Sequence, residues 1–212
     1  MSIRYGISLT LEPAFSAGLH RARQVICSQY GCWAAEMHSV HLPLTGYFPC
    51  HEREAPALAV ILEKIVEEFR LEHQNAILVR EGTIAEPDAG GSVFLAFSDE
   101  SGPSAASRSV SQLQADIADA LSRMNLMVGG ELLPLRFALL QHSGLPAQVF
   151  RSASRFAEGV VNGLQLQASV ALSELTLFRY VSAAASEDWD DGSWAADLSW
   201  QILDTYPLKA AG

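Results

Sequence analysis

The chain of 212 residues has only three cysteines, Cys27, Cys32 and Cys50. An odd number at no metal-ligand or redox spacing excludes a disulfide framework, so reduced thiols are the expected state. Positive charge is also scarce. Fourteen Lys and Arg against 24 Asp and Glu give a net charge of -10 and a pI near 5.0. That balance lacks the field needed to hold a long nucleic acid, although a local pocket can still take a small phosphate. No apolar run approaches the roughly 18 residues that span a bilayer. The opening "MSIRYGISLT" lacks the basic stretch and apolar core of a secretory signal. The expectation is a cytoplasmic protein with no membrane partner. A Gly-rich phosphate loop, a nucleophile motif and a cofactor fingerprint are all missing, so no cofactor is expected.

Hydrophobic residues make up 49% and charged residues 18%, the balance of an ordered globular chain. In "IRYGISLTL", Ile3, Tyr5, Ile7 and Leu9 alternate with Arg4, Gly6, Ser8 and Thr10, which predicts a strand with one buried face. After Pro13, the residues Phe15, Leu19, Ala22 and Ile26 recur at helical spacing as far as Tyr30-Gly31, where glycine can end the helix. "HLPLTGYF" reads as a strand, with Leu42, Leu44 and Phe48 on one face and His41, Pro43, Thr45 and Tyr47 on the other. A second helix starts near Pro56, its Leu58, Ile61, Leu62, Ile65, Val66 and Phe69 facing inward. "NAILVREGTIAE" and "GSVFLAF" form a hairpin through "EPDAGG".

The polar "SDESGPSAASR" reads as a linker into a helix over residues 109–124, which places a lobe boundary near 98–108. In "LPLRFALLQHSG", Leu135, Phe137 and Leu139 take one face of a strand and Arg136, Ala138, Leu140 and His142 the other. Pro146 opens a helix that ends near Gly163, and "SELTLFRYVS" and "WAADLSWQILDTYPL" close the chain as strands around the acidic turn "SEDWDDG". This order predicts an α+β fold: one bilobal domain over residues 1–212, with two pseudo-symmetric lobes. Each lobe is an antiparallel sheet covered by helices on one face, and the free faces form a central groove.

The order and the segments "RYGISLTLEP", "HLPLTGYF", "LPLRFALLQ" and "LTLFRYVS…W…WQILDTYPL" resemble the 2H phosphoesterases. These are the LigT-like superfamily of RNA ligases and cyclic phosphodiesterases, and the resemblance covers nearly the whole chain. It implies that each lobe contributes a strand carrying His-x-Ser/Thr-x. The two histidines then act as general base and general acid on a cyclic phosphate or an RNA-end phosphodiester, and the two hydroxyls hold its oxygens. Residues i and i+2 of a strand point the same way, so one histidine and one hydroxyl can converge on a phosphate. This chain keeps His41 but has Pro43, Arg136 and Ala138 at the other three positions. Arginine, with a pKa above about 12, clamps anions but does not transfer protons near neutral pH.

His41 and, less centrally, His38 are therefore the catalytic candidates, and Arg136 is the candidate anion contact. His38 has the opposite parity on a continuous strand, which fits a residue on the approach to it. Thr45 and Tyr47 share the face of His41. Arg4, Ser8 and Thr10 would line the same groove from strand one, and Trp189 and Trp194 could cap it. His142 keeps the parity of Arg136 but lies some 20 Å along a straight strand, so only a bend at His142-Ser143-Gly144 brings it closer. His38, His41, His51 and Cys50 do not converge as zinc ligands would, so no metal is expected. The expected ligand is a small anionic molecule or an RNA end. Three functions stay open: a divergent phosphoesterase, a catalytically inactive binding module, and an enzyme of different chemistry on the same fold.

Overall fold

β1 (Ser2–Leu11) follows its alternating pattern, burying Tyr5, Ile7 and Leu9 against the helices. The structure is a computed structural model that describes residues 1–72, 76–88, 90–99, 110–126, 132–185, 189 and 192–209. α1 (Pro13–Tyr30) has proline in its first turn and ends at Gly31, whose φ of 65° is the left-handed conformation a side chain would resist. The other elements are β2 (Leu42–Pro43), α2 (Ala55–Glu72), β3 (Ile77–Glu86), β4 (Ser92–Asp99) and α3 (Val110–Arg123). They are followed by β5 (Arg136–Leu140), α4 (Ala147–Gly163), β6 (Ser169–Ser182) and β7 (Ser199–Pro207). Single 3₁₀ turns occupy Ala34–Met37 and Ser193–Ala196. No described helix is long and apolar enough to cross a membrane.

All pairings are antiparallel, in a seven-stranded sheet of order β2-β1-β6-β3-β4-β5, with β7 also on β6. β6 is the shared element. Its start, Ser169–Ala171, pairs with β3, and the rest pairs with β1 and β7. One half of the sheet is therefore β2-β1-β6-β7 and the other β3-β4-β5, so strands from both ends of the chain share a half. The boundary expected near 98–108 lies, beyond Asp99, outside the described residues, as does most of "SEDWDDG". α1 packs on α4 and β5, and α2 on α3 and β7. Leu58, Leu62, Val66 and Phe69 of α2 are at most 1% exposed. Each such burial contributes about 1.5–3 kcal/mol, far more than the solvated Glu and Lys on the opposite face of that helix.

Three expected elements differ. The strand expected over 41–48 shrinks to Leu42–Pro43 plus a single bridge from Tyr5 to Phe48. Pro43 has no N–H for a ladder. Ile7 N–H donates instead to the side-chain Oγ1 of Thr45 at 3.0 Å, while the N–H groups of Leu44 and Thr45 both donate to Ile7 O. β5 carries a bulge: Leu140 pairs with Val93 and Ala138 with Phe94, so Leu139 is an extra residue. The bulge reverses the alternation, and Leu140 is fully buried rather than on the face of Arg136. The stretch from Trp194 to Ala196, expected as the start of the last strand, lies in a 3₁₀ turn (Ser193–Ala196) that buries Trp194.

Candidate functional site

The β2 segment, the turn before it and the start of β5 enclose a cavity of about 210 Å³. Its walls include Gly6, Ser8, Arg23, His38, Ser39, His41, Pro43, Thr45, Tyr47, Phe94, Arg136, Ala138, Gln141 and Tyr180. Gln114 of α3, 3% exposed, ties its two sides together. Its amide nitrogen donates to Leu44 O at 3.0 Å and to Leu133 O at 2.9 Å.

Arg23 sets the histidine segment. It stands in the apolar stripe of α1 with its side chain 3% exposed, paired with Glu36 at 3.0 Å. It donates through Nη2 to His38 O at 2.8 Å and through Nη1 to Ser39 O at 3.5 Å, and it lies over the Phe137 ring. Burial lowers its pKa and the adjacent Glu36 carboxylate offsets part of that effect. A charge removed from water and held by a carboxylate and two carbonyls is a fixed post rather than a mobile anion receptor.

His41 Nδ1 lies 2.9 Å from Ser39 O and 3.1 Å from Ser39 Oγ. A carbonyl only accepts, so Nδ1 carries the proton and Nε2 presents its lone pair. Nε2 has no partner among the described residues. The ring packs beside Phe178 at 5.3 Å between centroids. Burial, with the positive Arg23 nearby, drives the His41 pKa down to about 4 against the pull of the Ser39 carbonyl, so the ring is neutral at pH 7.

His38 lines the same cavity, its ring centroid 5.7 Å from that of His41. The parity argument that separated the two rings fails because this stretch is a turn, not a strand. His38 Nε2 and Tyr47 Oη are 3.1 Å apart, while His38 Nδ1 is buried without a partner among the described residues. The ring meets Trp194 edge-on at 4.7 Å. Burial first, then His41, Arg23 and His142, lowers its pKa well below the usual histidine value. Trp189 and Trp194 form a second apolar cluster with Phe178, Tyr180 and Leu198 behind these rings.

Arg136 reaches the cavity from the β5 side. It forms an ion pair with Glu86 and stacks over Phe94 at 3.9 Å from the ring centroid. Both side chains of the pair keep some exposure, 26% and 34%.

Ser8, Thr45 and Tyr47 are cavity residues, as expected from the sequence, but Arg4 and His142 are not among those lining it. The Arg4 guanidinium donates to Ile3 O at 3.1 Å and lies 5.8 Å from the Trp189 ring centroid. Thr10 donates to Glu174 O at 3.5 Å. His142, at φ 46°, does sit at a bend, where its ring lies against Gly90 and Gly192 and meets Trp194 edge-on at 5.5 Å. Arg23, Gln114 and Tyr180 were missed. The available signal was a charged residue at helical spacing within the stripe Leu19, Ala22, Ile26; Gln114 and Tyr180 gave none outside the tertiary structure.

The fold is LigT-like, on the following likenesses. E. coli LigT complexed with 3′-AMP aligns over 98% of each chain with a TM-score of 0.59 and 13% identity. TT0787 of Thermus thermophilus aligns over 99% of this chain and all of its own, with a TM-score of 0.59 and 15% identity. A protein described as a phosphoesterase aligns with a TM-score of 0.54 at 13% identity. E. coli LigT has also been solved with NADP+, with phosphate and with ATP. No family model and no curated protein sequence matches this chain.

Proposed function

We propose that the cavity binds a small phosphoester or other anionic metabolite, with His41 as its one acid–base group and Arg136 as the contact for the anion. The observation that carries this reading is the fixed tautomer of His41: Nδ1–H is held by Ser39 O, which leaves Nε2 of a neutral ring for a ligand in the cavity that Arg136 also lines. The 210 Å³ volume favours a small ligand or a single nucleotide end over an extended strand. E. coli LigT binds 3′-AMP, NADP+, phosphate and ATP, which makes nucleotide phosphates and 2′,3′-cyclic nucleotides the first compounds to try.

In this mechanism, His41 Nε2 takes a proton from the attacking water or hydroxyl, and the N–H groups of Arg136 not used by Glu86 orient the anion. No second imidazole stands at the β5 position to protonate the leaving oxygen. A missing general acid lowers the rate by about 10²–10⁴, so turnover, where present, is slow beside that of a two-histidine site. The pairing of Arg136 with Glu86, together with Pro43 and Ala138 at hydroxyl positions, favours a second reading, ligand binding without turnover.

The test is an assay of purified protein and of His41→Ala on 2′,3′-cyclic nucleotides and short RNA ends, with thermal stabilisation by the same compounds read in parallel. Turnover lost in His41→Ala supports the enzyme. Stabilisation without turnover supports the binding module. Activity unchanged in His41→Ala removes His41 from the chemistry.

A further inference from the structure

Five hydroxyl side chains line the cavity, and three of them are already engaged by the protein. Thr45 Oγ1 receives Ile7 N–H, Tyr47 Oη is bonded to His38 Nε2, and Ser39 Oγ lies against His41 Nδ1. The other two, Ser8 and Tyr180, are each only 2% exposed and have no hydrogen-bond partner among the described residues. Neither oxygen is among the fully enclosed side-chain atoms that lack a partner, so each keeps an open side toward the cavity, where a ligand oxygen can accept from it.

The two positions are related. Ser8 is the antiparallel partner of Pro43, so their Cβ atoms lie on one face of the sheet, about 4.5–5.5 Å apart. Gly6, two residues back on the same face of β1, lines the cavity as well. A Cβ there would come within 3.1 Å of Cε2 of Tyr180, so the absent side chain lets the Tyr180 ring lie over β1 at Gly6. Burial raises the pKa of the Tyr180 phenol, which therefore stays protonated and is a donor.

We propose that Ser8 Oγ and Tyr180 Oη are the donors that hold the oxygens of an anionic ligand, so that the hydroxyl absent at Pro43 is supplied from the neighbouring strand and that absent at Ala138 from β6. This rests on the reading above that the cavity takes an oxyanion. It adds which groups hold that oxyanion and assigns a ligand contact to Tyr180.

The experiment is calorimetric titration of wild type, Ser8→Ala, Tyr180→Phe and the double variant with inorganic phosphate and, separately, with acetate. Melting of the ligand-free proteins is measured alongside. Wild type is expected to bind phosphate saturably. Each single variant should weaken binding about tenfold and the double variant about a hundredfold, as for hydrogen bonds to a charged acceptor. The ligand-free variants should melt close to the wild-type temperature, because the hydroxyls removed hold no hydrogen bond among the described residues. A merely structural role would lower melting and leave affinity alone.

Saturable binding of acetate but not phosphate, lost in the same variants, supports the donors and overturns the phosphoester reading. Phosphate affinity within twofold of wild type in both single variants overturns the donors and leaves that reading standing. If wild type binds neither anion, the oxyanion reading falls and the donors fall with it.

Discussion

Ser8 of β1 faces Pro43 of β2 across the antiparallel ladder, so the hydroxyl missing from the β2 strand is present one strand away, on the same face of the same cavity. Catalytic groups in a sheet need not stay on one strand, since a cross-strand neighbour lies closer than the next residue but one on the same strand. The exchange still leaves a different site. A serine opposite a proline supplies a donor but no second proton-transfer group, which is why the acid–base argument rests on His41 alone.

Arg23 is the residue whose loss should disturb this arrangement most. Arg23→Met keeps the volume but strips Glu36 of its partner and leaves the carbonyls of His38 and Ser39 short of donors. Removing one member of a buried pair typically costs about 3–5 kcal/mol. Urea unfolding should show a loss of about 3 kcal/mol, and Arg23→Met/Glu36→Leu should recover part of it. A loss below about 1 kcal/mol would mean that the pair does not hold the turn.

The physical limits of the sequence show at the same place. The helices were legible because their stripes are long and their ends carry strong signals, such as Gly31 at φ 65°. The β3–β4 hairpin was legible from its turn. The histidine segment was not, because a period-two reading assumes a ladder, and here a threonine side chain takes the place of one ladder bond. One inserted residue, Leu139, likewise reversed the faces of β5 beyond Ala138. His41 and Arg136 were legible as groove residues from motif position and Ser8 from strand parity, while Thr45 and Tyr47 line the cavity although the strand that their parity assumed ends at Pro43. Tyr180, Gln114 and the posting role of Arg23 depend on which strands and helices meet, information that no local pattern carries.

Thr176 gives a test of the sheet independent of any ligand. It is the antiparallel partner of Ser8 on β6, fully buried, and its Oγ1 has no partner among the described residues. Thr176→Val keeps the branched shape and removes an unmet hydroxyl, so stability should rise by about 1 kcal/mol. Thermal or urea unfolding reads the result, and a clear destabilisation would mean that the hydroxyl is satisfied in solution.

The pH dependence follows from His41. Its pKa falls from 6.5 to about 4 on folding. Above pH 6.5 both states hold the ring neutral, and the stability it contributes is fully present. Between about 6.5 and 4 the unfolded ring binds a proton that the folded ring does not, so stability falls as pH falls; below about 4 the loss is complete. A shift of that size is worth at most about 3 kcal/mol. His38 is shifted in the same direction, also by burial first, and adds to the effect. Urea midpoints for wild type and His41→Asn from pH 7.5 to 4.5 should converge as pH falls, since the variant lacks this proton uptake. Parallel curves would show that the His41 ring is not buried in solution. The same shift places the acidic limb of any His41-dependent activity well below pH 6.

Arg136 can serve a ligand only where its present partners release it. Its guanidinium is shared between Glu86 and the face of Phe94. With both charged side chains part-exposed, the Glu86 pair is worth at most about 1 kcal/mol after solvent screening, so a phosphate can compete for it. Glu86→Gln removes the competing charge while keeping a hydrogen-bond acceptor, and should tighten phosphate binding by up to about fivefold, the ratio that 1 kcal/mol gives. The gain should shrink in 0.5 M salt, where an exposed charge effect is screened, and vanish in Arg136→Met/Glu86→Gln. Calorimetry on the four proteins of this cycle measures the coupling directly. Equal affinity in wild type and Glu86→Gln, with Arg136→Met also unchanged, would reduce Arg136 to a side chain that covers Phe94 and pairs with Glu86, and would leave His41 without its anion contact.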